Sequence, residues 1–282
     1  MYYLGLDVGS SSVKAAIVDA KSGKSILSVH EPKNEMGINS LNNDWAEQDP
    51  NMWWKYTCDA IKRVCKESNV DSKKIGSIGI SYQMHGLVVV DKNGSTLRDS
   101  IIWCDSRAVN IGNEAFEKLG QEKCMSHLLN SPGNFTASKL KWVKDNEPNI
   151  YEKIYKYMLP GDFIAYKLTG EINTTRNGLS EGMIWDYKNN STADWLLDHY
   201  GIDSNLTPDL VDNFSNQGTT NLKSSNETGL NVGVPITYRA GDQPNNALAL
   251  NVFDNGEVAA SGGTSGVIYS ITNNIDSNEP SR

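Results

Sequence analysis

The segment that most constrains this chain is residues 4–19, which read LGLDVGSSSVKAAIVD. An apolar strand carries a carboxylate near its end, Asp7, a Gly/Ser turn follows at residues 9–12, and a second apolar strand returns. Glycine lets a backbone approach a ligand closely, and successive N–H groups in such a turn form a concavity that binds anions. The segment therefore predicts a β-hairpin that holds nucleotide phosphates. An ordinary strand connection stays open as the alternative.

The residues that would line this phosphate site are small and hydroxylated, with one cation beside them: Gly9, Ser10, Ser11, Ser12 and Lys14. A bound polyphosphate would repel Asp7 unless a cation lay between them, and Mg²⁺ favours a carboxylate–phosphate arrangement. We therefore expect Asp7 to hold Mg²⁺ through a water molecule. Lys14 points either towards the phosphate or to solvent.

A second copy of the pattern, in residues 258–271, favours the phosphate interpretation. It again runs strand, turn, strand, and its turn supplies Gly263, Thr264 and Ser265 as further phosphate ligands. Two hairpins so far apart in sequence can face each other across a cleft and grip one polyphosphate from both sides. Both resemble the phosphate motifs of the sugar kinase, Hsp70 and actin ATPase superfamily. No Walker P-loop string occurs in the chain.

Charge and composition argue against several classes of partner. The chain has 26 basic and 34 acidic residues and a net charge of −8, which argues against a nucleic-acid surface. No apolar run approaches the length of a membrane span. The four cysteines form no zinc spacing and no disulfide framework, so we expect Cys58 and Cys65 to pack on one core face of a helix. Because no secretory signal opens the sequence, we expect a soluble, cytoplasmic protein.

The periodicity predicts strands at about 2–8, 13–19 and 25–31 and a helix from Asp49-Pro50 to about residue 67. Further strands are expected at 75–81, 86–91, 101–104 and 236–238. Further helices are expected at about 106–119, 136–146, 160–169, 191–200 and 243–252, three of them closed by Gly120, Gly170 and Gly201. This mixture indicates an α/β fold with a mixed sheet.

Six motifs resemble those of the FGGY carbohydrate kinases, and within that family the xylulokinase group: DWAEQDP (44–50), YQMHG (82–86), IWCDSR (102–107), GNFTASKLKW (133–142), LPGDF (159–163) and AGDQ (240–243). The resemblance implies a ribonuclease H-like mixed-sheet lobe of the actin-like ATPase superfamily. Residues 1–250 would form the amino-terminal domain, and residues 251–282 would start a similar, truncated second domain. The family's adenosine-binding segment has no counterpart here, so we expect the amino-terminal part of a longer protein.

Asp242 stands between a predicted strand and a predicted helix, where ligands bind in open α/β sheets. By itself, an aspartate before Gln-Pro suits an ordinary N-cap well. Phosphoryl transfer needs a group that accepts the proton of the acceptor hydroxyl. The resemblance assigns that role to Asp242.

The resemblance also implies a sugar site. It brings Met84 and His85 against the sugar, with His85 as a donor to hydroxyl groups and Met84 as an apolar wall. Asn134 and Gln243 carry amides that can bridge hydroxyls, and Trp103, like Trp45, could stack on a sugar face. Each side chain also has a structural alternative, in a turn or in the core. The lysines of residues 138–141 are expected on a solvated helix face.

The function implied is a kinase that uses ATP and Mg²⁺ to phosphorylate D-xylulose at its 5-hydroxyl, here as a part that is inactive alone. An FGGY kinase for gluconate, ribulose or glycerol stays open, as does a sugar-binding module without catalysis. The partners expected are a small sugar and ATP, with no nucleic acid and no membrane, and a homodimer stays open.

Overall fold

The computed structural model describes residues 1–262, 266–274 and 277. The strands are β1 (Tyr2–Val8), β2 (Val13–Asp19), β3 (Ser25–Glu31), β4 (Glu47–Gln48), β5 (Ile75–Tyr82), β6 (Val88–Val90), β7 (Ser100–Ile101), β8 (Lys156–Met158), β9 (Asn173–Thr175), β10 (Trp185–Asp186), β11 (Ser191–Thr192), β12 (Asp209–Val211), β13 (Ile236–Gly241), β14 (Val258–Gly262) and β15 (Gly266–Ser270). The helices are α1 (Pro50–Ser68), α2 (Val109–Leu119), α3 (Gln121–His127), α4 (Thr136–Asn146), α5 (Pro148–Tyr151), α6 (Pro160–Thr169), α7 (Arg176–Glu181), α8 (Asp194–Tyr200), α9 (Leu222–Thr228) and α10 (Asp242–Ala249).

The main sheet is mixed, as the sequence predicted, and its strand order is β13-β5-β1-β2-β3. Strands β1, β2 and β3 form an antiparallel meander. Strands β5 and β13 run parallel to β1, with Asp7 opposite Ser81 and Gly241 opposite Tyr82. Because parallel strands end at the same edge, the residues that follow β1, β5 and β13 meet there.

A first hydrophobic core lies between this sheet and helices α1 and α6. Helix α1 begins where Asp49 accepts the N–H of Asn51 and Pro50 occupies the first turn, as its sequence predicted. Its apolar face buries Trp53 completely, and burial of such a side chain contributes roughly 1.5–3 kcal/mol. Cys58 is buried in this core and Cys65 packs against it, which confirms the packing expected for both.

A second core joins helices α2, α3, α4, α7 and α8. Strand β6 separates the two cores. Val88 and Val90 face the first core, whereas Leu87 and Val89 face the second, and all four side chains are fully buried. Burial on both faces explains why this short strand is a continuous apolar run rather than an alternating one.

Several boundaries differ from the sequence-based prediction. Helix α2 begins at Val109 rather than near residue 106, because Asp105 and Arg107 pair with each other in the turn before it. The segment 191–200 is a helix only from Asp194, since β11 pairs with β10. Helix α3 was not predicted. The positive φ angles of Gly170 and Gly201 confirm glycine at those helix ends.

Strands β14 and β15 form the second antiparallel hairpin that the sequence predicted. Ala247 of α10 and Ala259 of β14 are buried where this hairpin packs against the helix. The proposed phosphate ligands at its tip, Gly263, Thr264 and Ser265, lie outside the described residues. Within the described ranges, no helix is both long and apolar enough to cross a bilayer.

Candidate active site

Two carboxylates meet at the edge where the parallel strands end. Asp7 lies near the end of β1, and Asp242 follows β13. The pKa of Asp242 is raised, first because the carboxyl group is partly buried and then because the charge of Asp7 is near. A hydrogen bond from the backbone N–H of Gln243 opposes this rise. Asp242 is therefore a stronger base than an ordinary aspartate.

The local backbone at Asp242 differs from an ordinary N-cap. Gly241 occupies the cap position, and Asp242 is already the first residue of α10. A Cβ atom on Gly241 would lie 2.4 Å from Cγ of Met84 and 2.8 Å from Oε2 of Glu181. Glycine is therefore needed at this position because Met84 and Glu181 both press against the backbone beside Asp242.

The tip of the first predicted phosphate hairpin is hydrogen-bonded to the rest of the molecule. The N–H of Gly9 donates to the carbonyl of Ser12 at 3.1 Å, and the N–H of Met36 donates to the carbonyl of Ser11 at 2.8 Å. The side chain of Gln48 donates to the carbonyl of Ser10 at 2.7 Å. These bonds hold the backbone of the turn in place before any ligand arrives.

Gln48 is a positioning residue that the sequence analysis did not single out. Its Oε1 accepts hydrogen bonds from the indole of Trp53 at 3.1 Å and from the amide of Gln83 at 3.3 Å. The hairpin tip is thereby connected both to α1 and to the residues that follow β5. Only the tertiary structure brings these groups together, because residues 10, 48 and 83 are far apart in the chain.

Lys14 forms an ion pair in this structure, and its role towards phosphate stays a prediction. Its Nζ lies 3.0 Å from Oδ2 of Asp7, the residue opposite it in the β1–β2 register, and both side chains are open to solvent. An exposed pair of this kind is worth little and can be exchanged for a ligand. Trp103 is about half exposed, and its indole N–H lies 3.4 Å from Oγ of Ser10, beside the hairpin.

His85 was predicted to contact the sugar, and its hydrogen bonds in the structure assign its tautomer. Its Nδ1 lies 3.0 Å from the backbone carbonyl oxygen of Glu181. A carbonyl oxygen only accepts, so Nδ1 carries the proton. Burial, followed by the charge of Lys139, lowers the pKa of His85 to about 4. The ring is therefore neutral near pH 7, and Nε2 is an acceptor rather than the donor that the sequence analysis expected.

Glu181 is a second group that sequence reasoning missed. Its Oε1 accepts the backbone N–H of His85 at 3.1 Å, and Oε2 accepts the hydroxyl of Tyr82 at 3.3 Å. Burial raises the pKa of Glu181 well above its usual range, and the charges of Asp162 and Asp242 raise it further. The residue ends a short helix with no apolar periodicity, so nothing in its local sequence indicates a buried carboxyl group.

Lys139 contradicts the expectation of a solvated helix face. Its side chain is fully buried, and Nζ donates to the carbonyls of His85 and Ile102, each at 3.0 Å. Burial lowers the pKa of Lys139 to about 8. Because α4 packs into the second core, the face that carries Lys139 is turned inwards. Lys141 pairs with Asp145 one turn away, as a solvated face would predict.

The remaining predicted sugar ligands have different surroundings. The amide nitrogen of Asn134 donates to the carbonyl of Asp105, whereas its Oδ1 is buried without a partner among the described residues. Gln243 is half-buried and follows Asp242 directly. Trp45 packs against the guanidinium of Arg107, 3.9 Å from the ring centroid, so one face of its ring has a structural partner.

The carboxylates at the sheet edge fit the magnesium ion that the sequence implied. Among the described residues, no group of three or more His, Cys, Asp or Glu side chains could hold a metal ion by itself. Mg²⁺ does not need such a cage, because it usually binds one or two carboxylates together with substrate phosphates and waters. Asp7, with Asp242 beside it, supplies that set of hard oxygen donors.

Comparison with known proteins identifies the family of the chain. The model of the FGGY family of carbohydrate kinases, N-terminal domain, matches residues 2–249. The chain belongs to the FGGY family of carbohydrate kinases. This confirms the family that the six motifs indicated.

Individual FGGY kinases resemble most of the chain. Xylulose kinase of Staphylococcus xylosus is 30% identical over 98% of this chain and 56% of its own length. The crystal structure of a xyloylose kinase from Brucella ovis, at 30% identity, has a TM-score of 0.87 and covers 95% of this chain and 54% of its own. The xylulose kinase structure from Rhodospirillum rubrum has a TM-score of 0.91 at 24% identity over 99% and 56% of the two chains.

These matches confirm the actin-like ATPase fold expected for this lobe. The chain spans about half the length of the curated relatives that it matches. Solved kinases named for gluconate and for glycerol share the fold at 23% and 21% identity, so the fold alone does not select an acceptor.

Proposed function

We propose that this chain is the sugar-binding lobe of an ATP-dependent kinase that converts D-xylulose to D-xylulose 5-phosphate. The observation that carries the proposal is the convergence of Asp242, the Met84–His85 segment and the hairpin 9–12 at one edge of the sheet. Relatives at about 30% identity that are named xylulose kinases support this choice of acceptor. Residues 1–250 would form the amino-terminal domain, and residues 251–282 would start the second.

Asp242 would act as the base. The 5-hydroxyl oxygen of the sugar attacks the γ-phosphorus of ATP, and the bond from that phosphorus to the β,γ-bridging oxygen breaks. ADP leaves, and the carboxylate of Asp242 accepts the hydroxyl proton. The raised pKa of Asp242 favours this transfer, since a stronger base accepts a proton more readily.

The phosphates would lie on the hairpin formed by Gly9, Ser10, Ser11 and Ser12. Lys14 would exchange its exposed bond to Asp7 for a phosphate oxygen. The second hairpin, through Gly263, Thr264 and Ser265, would hold the same phosphates from the opposite side. Bound Mg²⁺, held by Asp7 through water, would neutralise charge on the phosphates.

The sugar side suits a neutral polyol. Within the described residues, His85 Nε2 and Asn134 Oδ1 have no partner and could accept from hydroxyl groups. Gln243 can both donate and accept, and Met84 would give an apolar wall. Lys139 is engaged with two carbonyls, and Lys14 would bind phosphate. Because no free cation among the described residues faces the proposed sugar site, a ketose such as xylulose or ribulose is favoured over gluconate, whose carboxylate would need one.

The test begins with the chain itself. Calorimetric titrations with D-xylulose, D-ribulose, D-gluconate and glycerol should give measurable, weak binding of xylulose and weaker binding of the others. Mg-ATP should bind poorly, because half of the phosphate-binding groups and the whole adenine pocket would belong to the second lobe. Tight Mg-ATP binding with steady turnover by this chain alone would contradict the two-lobe account.

The second arm uses a polypeptide in which this chain continues into a carboxy-terminal FGGY domain. Coupled ADP release should then be fastest with D-xylulose, because alignment of the two reactants can be worth about 7–11 kcal/mol of barrier. Faster release with gluconate or glycerol would assign a different acceptor. Sugar binding without any ADP release would instead identify a binding module.

A further inference from the structure

A cavity of about 360 Å³, partly open to solvent, lies away from the sheet edge. It is lined by the turn at residues 93–96, the carboxyl end of α6, the start of α9 and Asn51 of α1. Helix α6 begins at the active-site edge, where Gly161 contacts the ring of Tyr82, and Gly170 beyond its other end lines the cavity. Ten helical residues span about 15 Å. Among the described residues, no candidate active-site residue lines this cavity.

Two lysines of like charge face the cavity. Lys167 is half-buried and rests near the ring of Trp54, 5.6 Å from its centroid, and Lys223 is exposed. Burial lowers the pKa of Lys167, and the charge of Lys223 lowers it further. In the part of the chain that the structure describes, neither lysine forms an ion pair with a carboxylate. The charge of Glu227 raises the pKa of Lys167, but the Glu227 carboxylate accepts the indole N–H of Trp54 at 2.6 Å.

The rest of the wall supplies neutral hydrogen-bond donors. Asn221 accepts the N–H of Ser224 through Oδ1, and its Nδ2 makes no hydrogen bond within the described residues. Tyr166 adds a hydroxyl group. Gly94 has a φ of +74°, and a Cβ there would lie 1.7 Å from that hydroxyl oxygen. Only glycine therefore lets the turn close this side of the cavity.

We propose that this cavity is a second ligand site, which binds a phosphate group between Lys167 and Lys223. A phosphate dianion would relieve the repulsion between the two ammonium groups and form charge-assisted hydrogen bonds with both. Asn221 Nδ2 and the Tyr166 hydroxyl would donate to its remaining oxygens. The volume exceeds that of phosphate alone and lies in the range of small-molecule sites. The ligand is therefore a phosphate monoester of sugar size, or free phosphate.

The experiment is a calorimetric titration of the chain at constant ionic strength with inorganic phosphate, D-ribose 5-phosphate and D-ribose. We expect both phosphates to bind and D-ribose not to bind. Lys223→Gln and Lys167→Gln should each weaken phosphate binding about tenfold, the effect of one lost charge-assisted bond. The matched control, Lys188→Gln, removes one exposed cation away from the cavity and should leave binding within about twofold.

Three outcomes overturn the proposal: no phosphate binding at millimolar concentration, equal weakening by Lys188→Gln, or displacement of phosphate by Mg-ATP. The last would assign the phosphate to the hairpin at residues 9–12. Tighter binding of the ester than of phosphate would identify an ester as the ligand. Binding of D-xylulose by the two cavity variants should be unchanged, so failure here is distinguishable from failure of the kinase proposal.

Discussion

The phosphate side of the candidate active site, residues 7–14, and its sugar side, residues 83–85 with Lys139 and Glu181, are built in opposite ways. On the phosphate side, Asp7 and Lys14 are neighbours in one hairpin and both are open to solvent. On the sugar side, His85 bonds to Lys139, 54 residues away, and to Glu181, 96 residues away. One side is a local motif, and the other is assembled from distant segments.

The two sides also differ in how far their ionisable groups are buried. Asp7 and Lys14 form an ion pair that is open to solvent, and a polyphosphate and its metal could replace this pair. Burial shifts the pKa of His85 to about 4 and that of Lys139 to about 8, and it raises the pKa of Glu181. Each shift moves the group towards its neutral form. The sugar side is therefore suited to hydroxyl groups and the phosphate side to ions.

The largest effect is expected where the two sides meet, at Asp242. In the two-lobe polypeptide, Asp242→Asn should lower kcat by about 10²–10⁴-fold, because the isosteric amide cannot accept the hydroxyl proton. D-xylulose affinity, measured by titration, should stay close to that of the unmodified protein. A kcat near normal would leave Asp242 as a structural residue at the helix start.

His85→Ala should raise the KM for D-xylulose about tenfold, since one hydrogen bond of roughly 1.4 kcal/mol is lost. The KM for ATP should change little, and His199→Ala, at an exposed histidine, is the control. Because the pKa of His85 is about 4, sugar affinity should show no titration between pH 5.5 and 7.5 from this ring. A transition near pH 6.5 would contradict the neutral-acceptor assignment.

Asp7→Asn tests the coupling between the carboxylates. The charge of Asp7 raises the pKa of Asp242 before Mg-ATP binds, so removing that charge should move the acid limb of kcat/KM for Mg-ATP to lower pH, even though turnover itself falls. The sign follows because the base works only when ionised. Asp59→Asn, on the exposed face of α1, should leave the limb where it is. An unchanged acid limb in Asp7→Asn would show that the charge of Asp7 does not affect the pKa of Asp242.

The smallest effect is expected at Glu181. It is measured as the free energy of unfolding of the chain in urea at a series of pH values. Its raised pKa means that the native state binds the proton more tightly than the unfolded state, so stability falls as pH rises from about 4.5 towards the raised value. Glu181→Gln should remove this fall and leave neutral-pH stability little changed. Glu114→Gln, at an exposed carboxyl group, should retain it. If the stability of Glu181→Gln still fell with pH to the same extent, the pH dependence would belong to another ionisable group.

The sequence predicted the regular elements well where they are local. The β1–β2–β3 meander and helix α1 carry their own turns, caps and periodicity, and their predicted bounds agree with the structure to within a residue or two. Helix α3 was missed because residues 121–127 are polar, with only Cys124 and Met125 buried. Lys139 was misjudged because a lysine beside other polar residues looks the same on an inward face as on an outward one.

The sequence by itself determined the two hairpins, the mixed α/β character, the family and the identity of the two carboxylates at the strand ends. These follow from residue type and spacing within short segments, where chain connectivity brings the groups together. Tertiary structure alone decided the strand order, the hydrogen bond from Gln48 to the hairpin, the tautomer of His85, and the burial of Lys139 and Glu181. Burial and long-range hydrogen bonds set these properties, because a pKa or a bonding partner depends on what surrounds a side chain in space.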